Sequence, residues 1–222
     1  MFKSKYSNFL TIILVVAIIF VIVLVSILAV NAYKRYKNDK DAENAISRFE
    51  NNIGQNNNEN TSGQGLIEQN VVNNTSGGDT SEEKTRQVTY YNNFVMIGYI
   101  EIPKISIKYP ILEKETVPSL AQSVAVRYPD NPKLNEPGNV VIAGHNYRNG
   151  QFFSNLKNVT TGDIIKITDT SGQTLVYTIY EKYETTPEDV AYITRDIGDN
   201  TEITLVTCTD DSNARIIVKA RV

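Results

Sequence analysis

From Phe9 to Val30 the chain carries no charge, and only Thr11 and Ser26 interrupt its aliphatic and aromatic residues. A helix that is apolar on every side needs either a large core or lipid around it. At ~1.5 Å of rise per residue this one would cross a hydrocarbon layer of about 30 Å. It also exceeds the roughly 7–15-residue apolar core of a signal peptide. After a short tail, residues 1–8, the stretch 9–30 therefore reads as a retained transmembrane anchor. The competing reading is a cleaved signal, with Val30-Asn31-Ala32 as a small-residue cleavage site.

Residues 31–50 are charged but place Ala42, Ala45, Ile46 and Phe49 at helical spacing, so this segment either extends the anchor or packs on the domain beyond it. Residues 51–87 are dominated by Asn, Gly, Gln, Ser and Thr. Such a composition buries too little apolar surface to offset its ordering entropy, which predicts a flexible linker. As a coil it would span roughly 30–35 Å. That leaves about 135 residues, 88–222, enough for one compact domain.

Within 88–222 the apolar period is two rather than 3.6. Alternating or β-branched runs at 97–103, 105–107, 109–112, 139–143, 162–168 and 174–184 predict short strands, with Pro103 and Pro110 confining theirs to ends or edges. Brief helical pieces are expected at 117–122, 151–157 and 187–193. Many short strands separated by turn signals predict an all-β barrel or sandwich. The net charge of −3 does not suggest nucleic acid as a partner.

The end of the chain is the most informative part. Ile203–Cys208 reads as a strand, the polar Thr209–Ala214 as a turn, and Arg215–Val222 as a returning strand. If the two pair antiparallel, Cys208 lies directly opposite Arg215, on the same face with Cβ atoms about 4.5–5.5 Å apart. A guanidinium cannot lose its charge; it favours a thiolate and can steady an oxyanion. The sole Cys excludes an internal disulfide, and the sole His, His145, ends an apolar strand beside Gly144. Thiol, imidazole and guanidinium make a minimal kit for acyl transfer: nucleophile, general acid and base, and oxyanion partner. Each residue also has a plainer reading. Cys208 can be a buried small hydrophobe, His145 a structural residue, and Arg215 a surface cation answering Asp210 or Asp211.

TLVTC (residues 204–208) followed by Arg215 resembles the TLxTC…R signature of the sortases, cysteine transpeptidases of Gram-positive cell surfaces. IAGHN (142–146) resembles the segment carrying their catalytic histidine, and GYIEIPKI (98–105) with YPI (109–111) resembles their opening strands. The likeness covers about residues 95–222, in order, and the anchor, linker and carboxy-terminal domain fit the same architecture.

The resemblance implies an eight-stranded sortase-type β-barrel with short helices. It also implies cleavage of an LPxTG-like signal near the carboxyl end of a secreted protein, followed by transfer to an amine of a peptidoglycan precursor or a pilin. Position by position, Cys208 would be the nucleophile, His145 the general acid and base, Arg215 the substrate-aligning and oxyanion-stabilising group, and Thr207 a residue lining the sorting-signal groove. No cofactor is required; calcium, which some class A members bind, would look to Asp130, Glu136, Glu184 or Glu188. The absence of a second apolar span after the Cys strand sets the expectation apart from the pilin-polymerising class C enzymes. An extracellular catalytic domain conflicts with the basic residues Lys34, Arg35, Lys37 and Lys40 that follow the anchor, against only Lys3 and Lys5 before it; function favours the extracellular side. The alternatives are a non-catalytic tethered binding domain, or another cysteine acyl-transferase such as an L,D-transpeptidase, whose His and Cys share one short motif as they do not here.

Overall fold

The computed structural model describes residues 5–58, 88–195 and 197–222. Helix α1 runs Lys5–Asn58 without a break. It contributes to two compact units, one ending at Asp41 and the other running from Ala42 to Val222. In the first, the side chains from Phe9 to Val30 are exposed, as suits a helix long and apolar enough to cross a membrane. In the second, Ala42, Ala45, Ile46 and Phe49 are buried in the main core. Their i, i+3, i+4, i+7 spacing is the stripe that a helix lays on a partner surface. Phe49 meets Tyr99 edge-on at 6.2 Å between ring centroids, and Glu50 pairs with Lys108. This segment is therefore part of the folded unit. Residues 51–58 of the expected linker continue the helix; residues 59–87 lie outside the described residues.

The rest is built on strands β1 Thr89–Tyr91, β2 Phe94–Ile102, β3 Ile107–Leu112, β4 Val124–Tyr128, β5 Gly138–Ala143, β6 Ile164–Asp169, β7 Thr174–Thr185, β8 Thr201–Cys208 and β9 Arg215–Arg221. Their order is β1-β2-β3-β4-β5-β8-β9-β7-β6, and a further pairing of β2 with β6 closes eight of them into a barrel. The short β1 extends β2 as a hairpin. At the closing seam a Cβ on Gly98 would stand 2.3 Å from the Thr168 carbonyl oxygen, so only glycine lets the two strands meet there.

Differences from the sequence reading have local causes. The runs 105–107 and 109–112 form one strand, β3, and Pro110 sits within it. β4 pairs with β3 only at Ile111 and Leu112, so the missing N–H of Pro110 interrupts no ladder on that side. The expected helix at 151–157 is irregular apart from a 3-10 turn at Leu156–Asn158, with Phe152 and Phe153 buried as plugs. Residues 187–193 form turns. Helix α2 is short, Val117–Leu120, and is started by a reciprocal capping box between Thr116 and Ser119. β4 has too short a pattern to announce itself.

Strand alternation sorts the side chains into two layers. Ile203 and Leu205 on β8, Ile142 on β5 and Val218 on β9 fill the barrel core. Val206, Ala143 and Ile217 from the same strands face outward and form a second apolar cluster with Val141 and Tyr192.

Candidate active site

β8 and β9 pair in the register anticipated from the sequence, with Cys208 opposite Arg215. Cys208 continues the outward row of Val206, Arg215 that of Ile217, and both are half-buried. On the other side β5 runs parallel to β8, with Ala143 beside Val206. β5 ends there, and His145 lies two residues past that last pair, as Cys208 does on β8. Cys208 and Arg215 thus share the outward face of the β8–β9 pair, and His145 follows β5 at the end of the strand that pairs with β8.

Four hydrogen bonds hold the chain just after β5 ends. The Gly144 amide donates to Val206 O at 3.1 Å, and the Phe153 amide to His145 O at 3.2 Å. Thr207 Oγ1 donates to Gly144 O at 2.8 Å, and Asn146 Nδ2 to Cys208 O at 3.0 Å. Gly144 has no room for a side chain, because a Cβ would stand 2.6 Å from the Phe153 ring. Thr207, expected to line a groove, instead points into the barrel and is buried, so it clasps the two strands beneath the site. Alternation decides this: the neighbour of an outward Cys208 faces inward.

His145 packs against Tyr147, 4.9 Å between ring centroids. Burial holds its imidazole below the ordinary value near 6.5; the charge of Glu115 opposes this, and burial wins. Arg127 engages both oxygens of Glu115, at 2.6 and 2.8 Å. A third arm of Arg127 donates to the Tyr192 hydroxyl at 2.8 Å. That bond holds Tyr192 over the apolar floor of Ala143, Val206 and Ile217, one row below the three polar residues.

Arg215 donates to the carbonyls of Ala214 and Ser212, at 3.0 and 3.5 Å, and among the described residues it has no carboxylate partner. The two aspartates considered as its partners are engaged elsewhere. Asp210 accepts from Lys157 and Asn146, and Asp211 from Thr209 and Asn213. The surface-pair reading of Arg215 thus fails. Asn146, Lys157, Arg127 and Tyr192 were not anticipated from the sequence, because nothing in their local spacing ties them to His145 or Cys208.

Of the carboxylates considered for calcium, Asp130 pairs with Lys114 and Glu136 with Lys133. Among the described residues no three His, Cys, Asp or Glu are grouped as a metal site.

Residues 100–222 match the model of the sortase domain family. The chain belongs to the sortase family. It is 32% identical over 126 residues to sortase A of Bacillus anthracis, an alignment covering 55% of this chain and 58% of that protein. The chain thus matches little more than half the length of this curated sortase. The sortase D5 transpeptidase of Clostridium perfringens superposes with a TM-score of 0.59 at 24% identity, over 82% of this chain and 98% of that one. Streptococcus agalactiae sortase C1 follows with a TM-score of 0.52 at 25% identity, over 57% and 68%. These likenesses run across classes A, C and D, so the fold does not set this sortase apart from class C.

Proposed function

We propose that this sortase is a membrane-anchored cysteine transpeptidase that cleaves an LPxTG-like sorting signal and transfers the released carboxyl end to an amine of a peptidoglycan precursor or a pilin. The observation that supports the reading is Cys208 opposite Arg215 across β8 and β9, with His145 two residues past the last β5–β8 pair, Ala143 and Val206. Residues 9–30 hold the protein in the cell membrane as a single pass, with the barrel outside.

In the chemistry this supports, neutral His145 takes the Cys208 proton as sulfur attacks the carbonyl carbon between Thr and Gly of the signal. The carbonyl electron pair moves onto oxygen, and the Arg215 guanidinium donates to that oxyanion. Collapse breaks the C–N bond, and the imidazolium gives its proton to the leaving amine, so a thioester remains on Cys208. The acceptor amine then attacks the thioester, His145 removes its extra proton, and the thiolate departs to be reprotonated. No metal or organic cofactor enters these steps.

The test is to incubate the full chain in detergent with LPxTG-type peptides and a short amine acceptor, and to read adducts by mass spectrometry. The expected result is an acyl adduct on Cys208 and a peptide–amine product, both lost in Cys208→Ala. Arg215→Lys should be severely impaired, because an ammonium cannot reproduce the planar fork. Turnover that survives Cys208→Ala would remove the assignment. Slow thiol labelling of the folded wild type, with no cleavage of any peptide, would favour a non-catalytic binding domain.

A further inference from the structure

The loop between Cys208 and Arg215 carries Asp210 and Asp211, the carboxylates with the shortest path to that guanidinium. An aspartate bonded to Arg215 would neutralise its charge and occupy its donor fork. The two are kept away by different means. Asp211 is bound within its own loop, accepting from Thr209 Oγ1 at 2.6 Å and from the Asn213 side chain and amide at 3.0 and 3.1 Å. Asp210 is held from outside the loop. Its Oδ2 accepts from Lys157 Nζ, and its Oδ1 accepts from Asn146 Nδ2 at 2.9 Å. The same Asn146 nitrogen donates to Cys208 O at 3.0 Å. Lys157 is itself well placed to hold a charge still. It lies in the 3-10 turn Leu156–Asn158, where Leu156 is fully buried, and its own carbonyl accepts from Lys182 Nζ.

We infer that Lys157 and Asn146 are positioning residues that hold Asp210 off Arg215, leaving the guanidinium free for the substrate. This rests on the role proposed above for Arg215. The arrangement explains how an acidic loop can sit beside a cation that must stay free of a carboxylate. Hydrogen bonds from Lys157 and then Asn146, with the added charge of Arg148, keep the Asp210 carboxyl below the usual range. A charged Asp210 released from these partners has Arg215 as the cation at the end of its own loop.

The experiment is a double-mutant cycle in the full chain in detergent: wild type, Lys157→Met, Asp210→Asn, and the two together. Peptide cleavage gives kcat/KM. Alkylation of the sole cysteine by iodoacetate, an anion drawn by a free guanidinium, gives a readout that needs no peptide. Lys157→Met is expected to lower both by about three- to fivefold, the scale of a half-exposed ion pair. The double variant should return to the level of Asp210→Asn alone, and added salt should shrink the Lys157→Met deficit. A merely structural lysine would show neither the rescue nor the salt response. A double variant as slow as Lys157→Met, or a Lys157→Met chain equal to wild type, would overturn the inference. If wild type cleaves no peptide, the proposed function falls, and the alkylation cycle still decides this point.

Discussion

Replacing Thr207 by valine removes one hydroxyl and almost no volume. The residue is 3% exposed, and its Oγ1 donates to Gly144 O at 2.8 Å, tying the strand of Cys208 to the residue before His145. Without it, a buried carbonyl loses that donor, at a cost of about 1–3 kcal/mol. For a folded unit of this size about 3 °C of melting temperature corresponds to each kcal/mol, so Thr207→Val should melt about 3–9 °C lower. Thr207→Ser is the control: it keeps the hydroxyl and gives up one methyl, worth about 1 kcal/mol. Thermal unfolding followed by circular dichroism measures both, and the His145 imidazole resonance reports whether the clasp also sets the site. Valine should lose more than serine and should shift that resonance, while serine leaves it in place. A serine variant that melts below the valine variant would show that methyl packing, not the hydrogen bond, holds these strands.

Other perturbations probe the remaining links. His145 is the only histidine, so a proton NMR titration assigns itself; its midpoint should lie below 6.5, and a value at or above that would contradict the buried setting. By linkage the unfolded chain then binds the extra proton first, so stability falls as pH drops below about 6.5, and His145→Gln should flatten that slope in denaturant titrations. Arg127→Met strips Glu115 of its counter-charge, which should raise the His145 midpoint; an unmoved midpoint would mean that Glu115 does not reach the imidazole. Phe49→Ala should cost about 3 kcal/mol or more in urea unfolding, because the ring is 2% exposed in the main core. A soluble fragment beginning at residue 88 should likewise melt below one beginning at residue 42; equal melting would show that the helix contributes nothing to the barrel.

What the amino-acid order alone determined is whatever depends on neighbours along the chain. The apolar run 9–30 is legible because a helix without a charge over that length shows in the residues themselves. The opposition of Cys208 and Arg215 is legible because a hairpin's register follows from its turn and from strand alternation. The stripe Ala42–Phe49 was visible as a helical face, but a stripe does not name its partner, and only the folded barrel supplies one. The site's second half belongs to tertiary structure for the same reason. The strand before His145 lies beside the strand of Cys208 through the parallel pairing of β5 with β8, which joins distant segments and leaves no local trace in either. The inward turn of Thr207 and the capture of Asp210 by Lys157 and Asn146 follow from that packing. Local periodicity settles which face a side chain takes; closure of the barrel settles what it meets there.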